Sequence, residues 1–317
     1  MAERRTENHG TSVKQSHSRR LEDKVLLIVK NLSDGKDVNF DCRLKGDLGF
    51  DSLMMMELMI SLENEFSVPL SEAIGSAKTI KDLVTLIECG GSKDGLSYNI
   101  NVYPLPKTDK HIAILKRFMK FSRMLWNFNV SGLENIANDK QYIFCSNHIS
   151  TFDGLWIWSA IGYDIVNLNK TCCLVKHEFI DKKTTNFGMT LLGGIPVDRR
   201  GNALPAIKRC IDCVKDENYS LIIHPEGTVT RDGKLQDFKH GAAEIAISTN
   251  TDIIPVKIMG AVAKVKNGLA MPKVIDWKRL RRYSIHLYFG KPISPEYKNT
   301  QELTDEIRTA IEGLGLE

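Results

Sequence analysis

His148 and Asp153 stand five positions apart in Asn147-His148-Ile149-Ser150-Thr151-Phe152-Asp153, directly after the apolar run Gln141 to Cys145. An imidazole held by a carboxylate is a general base: the acid fixes one ring nitrogen as N–H while the other takes a proton from an alcohol. Five helical steps turn about 500°, leaving the two side chains about 140° apart, so one regular helix cannot bring them together. They meet only if His148 lies in a loop and Asp153 in the first turn of the next helix, with Ser150 or Thr151 as cap. A hydrogen-bonded pair of purely structural use would read the same way. A second reactive position is Ser52, in Leu48-Gly49-Phe50-Asp51-Ser52-Leu53, which opens an amphipathic segment through Leu58, Leu62 and Phe66. A hydroxyl at a helix start is exposed, and the positive end of the helix favours a phosphate ester there. Asp51 or Ser52 as a plain helix cap explains the same pattern.

Three further segments flank strand-like runs in the back half. They are Gly193-Gly194-Ile195-Pro196-Val197-Asp198-Arg199, His224-Pro225-Glu226-Gly227-Thr228 and Ile253-Ile254-Pro255-Val256. No Gly-x-Ser-x-Gly elbow accompanies them. Cys210-Ile211-Asp212-Cys213 lies in an apolar helical pattern from Leu204 to Val214 without a second ligand pair, and no metal site is expected.

The elements that position these residues fall in two groups. Leu21 to Glu88 reads as all-helical, with apolar stripes beginning at Leu26, Leu27 and Val29, at Leu53 to Phe66 and at Ile80 to Ile87. After Lys107 short apolar runs alternate with helical stretches. The runs are Tyr142–Cys145, Cys172–Val175, Ile195–Val197, Leu221–Ile223, Ile253–Ile258 and Ile285–Phe289. That alternation predicts an α/β layered domain with a largely buried sheet. The expected organisation is a disordered tail over 1–20, a small all-α four-helix bundle over 21–91, a turn-rich linker over 92–110 and the α/β domain over 111–317.

Leu48 to Leu53, together with Leu62-Glu63-Asn64-Glu65-Phe66-Ser67-Val68-Pro69-Leu70, resembles acyl and peptidyl carrier proteins, whose Asp-Ser-Leu motif marks the serine that carries phosphopantetheine. The resemblance covers Leu21 to about Glu88 and implies 4'-phosphopantetheine on Ser52, with a phosphopantetheinyl transferase and an acyl-loading enzyme or synthase as partners. Met54, Met55 and Met56 after Leu53 look closer to polyketide-type carriers, and also suit core filling.

The segments around His148, Arg199, Glu226 and Pro255 resemble, in order and spacing, the four blocks of the glycerolipid acyltransferases typified by lysophosphatidic acid acyltransferases. The resemblance spans about Ile112 to Lys291. It implies His148 as base, Asp153 as its orienting partner, Arg199 at the acceptor's phosphate, Glu226, Gly227 and Thr228 at the acceptor, and Pro255 as the block-four proline. His224 stands where the family has Phe, and Val229 where many members have an arginine; Arg231 matches a second family arginine, and Lys239 lies in a familiar Phe-Lys-x-Gly context. The implied reaction moves an acyl group from a thioester donor, on the chain's own carrier or on coenzyme A, to a lysophosphatidate-like or glycerol-phosphate hydroxyl in phospholipid biosynthesis. Two alternatives stay open: offloading from a polyketide or fatty-acid assembly line onto a non-phosphorylated alcohol or amine, and a tethered carrier beside an inactive membrane-docking domain.

Composition bounds these readings. The chain has 317 residues, 42% hydrophobic and 26% charged, with a net charge of +4. Leu21 to Gly91 holds 7 Lys/Arg against 13 Asp/Glu, a net −6, so the remainder carries +10. An acidic front and a basic back favour mutual attraction or anionic partners. No basic stripe with interleaved aromatics points to nucleic acid. No apolar run reaches the roughly 18 residues of a membrane span, and the polar stretch Met1 to Arg20 is not expected to act as a signal peptide. With 7 scattered cysteines, the expected setting is the cytoplasm, peripheral on the inner membrane face. His111 to Phe128 mixes aromatic and aliphatic residues with Lys110, Lys116, Arg117, Lys120 and Arg123. That pattern fits a helix lying on a lipid interface, or one packed on the domain with its cations in water.

Overall fold

In a computed structural model of the chain, residues 7–33, 36–50, 52–68, 70, 74–90, 100–138, 140–162, 167–181, 183–197, 203–230, 232–260, 264–266, 269–278 and 280–316 are described. At 7–19, 52, 53, 76, 101, 183, 184, 264–266 and 269 the description is of the backbone alone. The chain divides into two compact units, residues 1–98 together with the short stretch 199–205, and residues 99–198 with 206–317.

The first unit is helical: α1 (Glu7–Leu32), α2 (Ser52–Phe66), a 3-10 turn (Ile74–Ser76) and α3 (Ile80–Glu88). Each α-helix contributes an apolar stripe to a shared core, with Val25 and Val29, then Leu58, Met59 and Leu62, then Leu83 and Ile87 buried. The first stripe thus runs through Val25 and Val29; Leu27 is exposed. A capping box fixes the start of α3: the Thr79 hydroxyl accepts the Asp82 N–H, and the Asp82 carboxylate accepts the Thr79 N–H. Among the described residues the expected four-helix bundle is three α-helices with a 3-10 turn in the remaining place. Met55 and Met56 are core residues. The tail expected over 1–20 is corrected from Glu7 onward, where α1 begins. A missing apolar period means no face to bury; it does not stop a helix packed through Val25 and Val29 from extending by one hydrogen bond per residue.

The second unit has, in chain order, α4 (Asp109–Leu125), β1 (Asn127–Ser131), β2 (Ile143–Ser146), α5 (Asp153–Ile161), β3 (Thr171–Lys176), α6 (His177–Asp181), α7 (Lys183–Leu192), β4 (Gly194–Val197), α8 (Leu204–Lys215), β5 (Ser220–Ile223), α9 (Gly241–Thr249), β6 (Ile253–Gly260), β7 (Lys264–Lys266), β8 (Leu269–Met271), β9 (Ile275–Asp276), β10 (Arg281–Arg282), β11 (Ser284–Phe289) and α10 (Thr300–Gly313). Seven strands form one sheet in the order β1-β11-β6-β2-β5-β3-β4. β6, β2, β5, β3 and β4 run parallel, and β11 joins β6 antiparallel. β2 to β5 are buried almost throughout, as parallel strands covered on both faces must be. Five of the six apolar runs picked out in the sequence lie within these strands, and Tyr142–Cys145 begins one residue before β2.

Residues 100–108, expected as linker, belong to this unit. Lys107 Nζ donates to the carbonyls of Leu168 and Thr171 at 2.8 Å each and to Thr171 Oγ1 at 2.7 Å. Burial pushes its ammonium down to about 8. The polar sequence looks solvated only because its acceptors lie far along the chain. Gly193, at φ +72, brings the chain into β4 so close to β3 that a Cβ would meet Thr171 O at 2.1 Å. Only glycine fits there.

Candidate active site

Strand β2 ends at Ser146, and α5 opens with Asp153 in its first turn. The intervening loop holds the His148 ring with its Nδ1 2.8 Å from Asp153 Oδ2. The same carboxylate oxygen accepts the backbone N–H groups of Ile149 and Ser150 at 2.8 and 2.9 Å. Asp153 therefore ties the loop back onto the helix while orienting the imidazole. The caps expected of Ser150 or Thr151 are corrected: Phe152 is the cap residue and makes no side-chain cap bond. Ser150 Oγ accepts the Phe152 N–H instead, and Asp153 itself supplies the acceptor that the loop needs.

Asp153 is fully buried. Burial pushes its carboxyl up to about 7, opposed by His224 and by the two backbone N–H donors. Its ionised form thus leaves His148 with the proton on Nδ1 and the lone pair on Nε2, the tautomer a base requires.

The backbone of His148 is gripped on both sides. Its N–H donates to Glu226 Oε1 at 2.7 Å, and its carbonyl accepts the Thr230 N–H at 2.8 Å. Glu226 Oε2 accepts the Gln236 N–H at 3.0 Å, so this buried carboxylate joins the two loops. Asn147 exchanges a pair of hydrogen bonds with Ile258 of β6, at 2.9 and 2.7 Å. Thr151 does the same with Ala270 of β8, at 3.1 and 3.0 Å. Beneath the loop Trp126 packs against Phe152 and Trp156, with ring centroids 5.8 and 5.4 Å apart.

His224 stacks face to face on His148, with ring centroids 4.1 Å apart and planes parallel at 0°. Its Nδ1 lies 2.8 Å from Ser146 Oγ. The sequence showed His224 only as a departure; a flat ring where the family has Phe was the signal for a stacking partner. His148, Asp153 and His224 bring ligand-type atoms within 4.8 Å of one another. Parallel rings point their in-plane lone pairs side by side rather than at one point, which suits a stacked base better than a metal chelate.

The other sequence candidates are placed less centrally. Gly227 has φ +69, and Thr228 Oγ1 donates to Gln236 Oε1 at 3.2 Å. Pro255 sits inside β6 opposite Cys145 of β2, and its carbonyl accepts the Gly290 N–H. Arg199, Arg231, Asp51 and the Ser52 side chain lie outside the described residues; the backbone of α2 begins at Ser52 with no acidic side chain in its first turn. An apolar recess of about 290 Å³ adjoins the His148 loop, lined by Leu115, Phe118, Phe152, Leu155, Phe187 and Leu191 among others.

The acyltransferase family model matches residues 127–259, and the phosphopantetheine attachment site model matches residues 27–87. The chain joins a phosphopantetheine carrier domain to an acyltransferase domain. A chloroplastic 1-acyl-sn-glycerol-3-phosphate acyltransferase of Brassica napus is 28% identical over 165 residues, 51% of this chain and 40% of that protein. The 1-acyl-sn-glycerol-3-phosphate acyltransferase of Borreliella burgdorferi is 32% identical over 131 residues, 41% of this chain and 50% of that protein. The chain thus spans about half the length, or less, of these curated relatives. Over part of the chain the fold matches the crystal structure of the 1-acyl-sn-glycerophosphate acyltransferase PlsC of Thermotoga maritima. The TM-score is 0.51 at 23% identity, covering 66% of this chain and 82% of that one.

Proposed function

We propose that this carrier–acyltransferase chain is an O-acyltransferase that moves a fatty acyl group from a phosphopantetheine thioester to a hydroxyl of a lysophosphatidate-like or glycerol-phosphate acceptor. The observation that carries the reading is the 2.8 Å contact between His148 Nδ1 and buried Asp153 at a strand end. The names of the relatives support the acceptor class. A helix start at Ser52 fits attachment of a phosphodiester there. Bound at Ser52, the prosthetic arm supplies an acyl chain as a thioester, and acyl-coenzyme A is the other donor.

His148 Nε2 accepts the proton of the acceptor's hydroxyl as its oxygen attacks the thioester carbonyl carbon. The C–O bond forms, the C–S bond breaks, and the thiolate recovers the proton from the imidazolium. Asp153 holds the ring in the required tautomer throughout. The apolar recess beside Phe152 receives the acyl chain. Arg199, Arg231 and Thr228 are proposed contacts of the acceptor's phosphate. Glu226 acts through its grip on the His148 backbone.

A second reading, transfer to a non-phosphorylated alcohol or amine, draws on His224 and Val229 at positions where the family has other residues. Incubation of the protein with an acyl thioester and either lysophosphatidate, glycerol 3-phosphate or simple alcohols and amines separates the two. The proposal expects phosphate-dependent product that disappears in His148→Ala. Product formed only with unphosphorylated acceptors would contradict it.

A further inference from the structure

The most exposed apolar side chains near the catalytic loop sit on a small hairpin. β9 pairs antiparallel with β10, Arg281 opposite Asp276 and Arg282 opposite Ile275. At its tip Trp277 is 76% exposed and Leu280 82% exposed. Lys273, Lys278, Arg281 and Arg282 lie in the same short segment and are exposed as well. An apolar tip ringed by cations is costly in water, and it complements an anionic interface with an apolar interior. Nucleic acid would satisfy the cations but not Leu280.

The hairpin is braced against α4. Trp126 Nε1 donates to the Lys273 carbonyl at 2.8 Å, Arg282 donates to the Met124 carbonyl, and the Asn127 N–H donates to the Tyr283 carbonyl at 3.0 Å. On α4, Phe118, Phe121 and Met124 recur every third residue and are all exposed, while Leu115 and Met119 of the same helix are buried. The hairpin also follows directly on β8, whose Ala270 is bonded to Thr151 in the His148 loop.

We propose that the β9–β10 hairpin is an interfacial anchor that seats the acyltransferase domain on an anionic lipid surface. Trp277 and Leu280 enter the headgroup–acyl boundary, Lys278 and Arg281 meet lipid phosphates, and the Phe118–Met124 row of α4 extends the contact. This deepens the lipid-acceptor reading by naming the surface where such an acceptor is met. Its readout is lipid binding, which needs no turnover, so the two readings fail independently.

The chain has 4 tryptophans, and the other three, Trp126, Trp156 and Trp158, are buried. Trp277 is therefore a built-in reporter. The full chain is mixed with vesicles of phosphatidylcholine alone, or of phosphatidylcholine with phosphatidylglycerol, with and without brominated acyl chains. The expected result is sedimentation with the anionic vesicles only, and bromine quenching of a tryptophan signal that is absent in Trp277→Phe. Lys278→Gln and Arg281→Gln should each weaken binding about fivefold. Leu280→Ser should weaken it further while leaving the melting temperature unchanged. Equal binding to neutral vesicles, binding with Trp277 unquenched, or no binding to either vesicle would each overturn the anchor.

Discussion

The carboxyl of Asp153 decides which nitrogen of His148 carries the proton. Above about pH 7 it is ionised and accepts Nδ1–H, so Nε2 is basic. Below that value the carboxyl keeps a proton of its own and can donate it to Nδ1, which puts N–H on Nε2 and removes the base. The rate of acyl transfer should therefore fall as pH is lowered through about 7, measured under conditions where donor loading is unchanged. Stability follows the opposite slope. The folded state holds this proton more tightly than an unfolded Asp with its pKa of about 3.9, so the Asp153 contribution to stability declines as pH rises from about 4 to about 7. Asp153→Asn should remove that slope in urea titrations while lowering kcat about 10²–10⁴-fold; a variant with normal kcat would show that the pair is structural. At His224, Phe should keep the stack and most of the activity, whereas Ala should raise the mobility of the His148 ring and lower kcat, as read by steady-state kinetics.

At the scale of elements, the site is a set of loop ends pinned to a sheet. Glu226 accepts two backbone N–H groups, from His148 and Gln236. Glu226→Gln would turn an NH₂ toward one of these donors, leaving it unsatisfied at a cost of about 1–3 kcal/mol. Chemical denaturation and kcat should both register the loss, with the acceptor KM moving little. Equal stability with a raised KM would assign Glu226 to acceptor binding instead. Gly227→Ala meets a left-handed φ of +69, which costs about 1–2 kcal/mol for a residue with a Cβ.

The sheet strands were readable because parallel strands buried on both faces are unbroken apolar runs, as Leu221 to Ile223 shows. β1 was not, since Asn127 and Phe128 were read as the end of the helix His111 to Phe128, which stops at Leu125. The angle that five helical steps make excluded a shared helix face for His148 and Asp153, and their pairing was implied by the family resemblance. The stack with His224, the clamp by Glu226 and the bond to Thr230 could not be read, because each joins segments distant in the chain and depends on strand order. The Lys107 contacts escaped notice for the same reason.

At the scale of the molecule, two units of different construction share one chain. The carrier domain is held by helix stripes meeting in an apolar core that includes Leu58 and Leu62. Leu58→Ala should cost about 2–5 kcal/mol in that domain, with hydrogen exchange in the acyltransferase domain unchanged. Under the proposed function, a thioester delivered by the chain's own carrier would gain effective concentration from the tether alone. We propose that His148 transfers an acyl group delivered on the Ser52 arm. The direct measurement loads a labelled acyl group onto the full chain with a phosphopantetheinyl transferase and follows its loss by intact-protein mass spectrometry as lysophosphatidate is added. The predicted result is loading that Ser52→Ala abolishes, followed by acceptor-dependent loss that His148→Ala abolishes. An acyl group that loads at Ser52 and then stays in place with lysophosphatidate and glycerol 3-phosphate alike would contradict it.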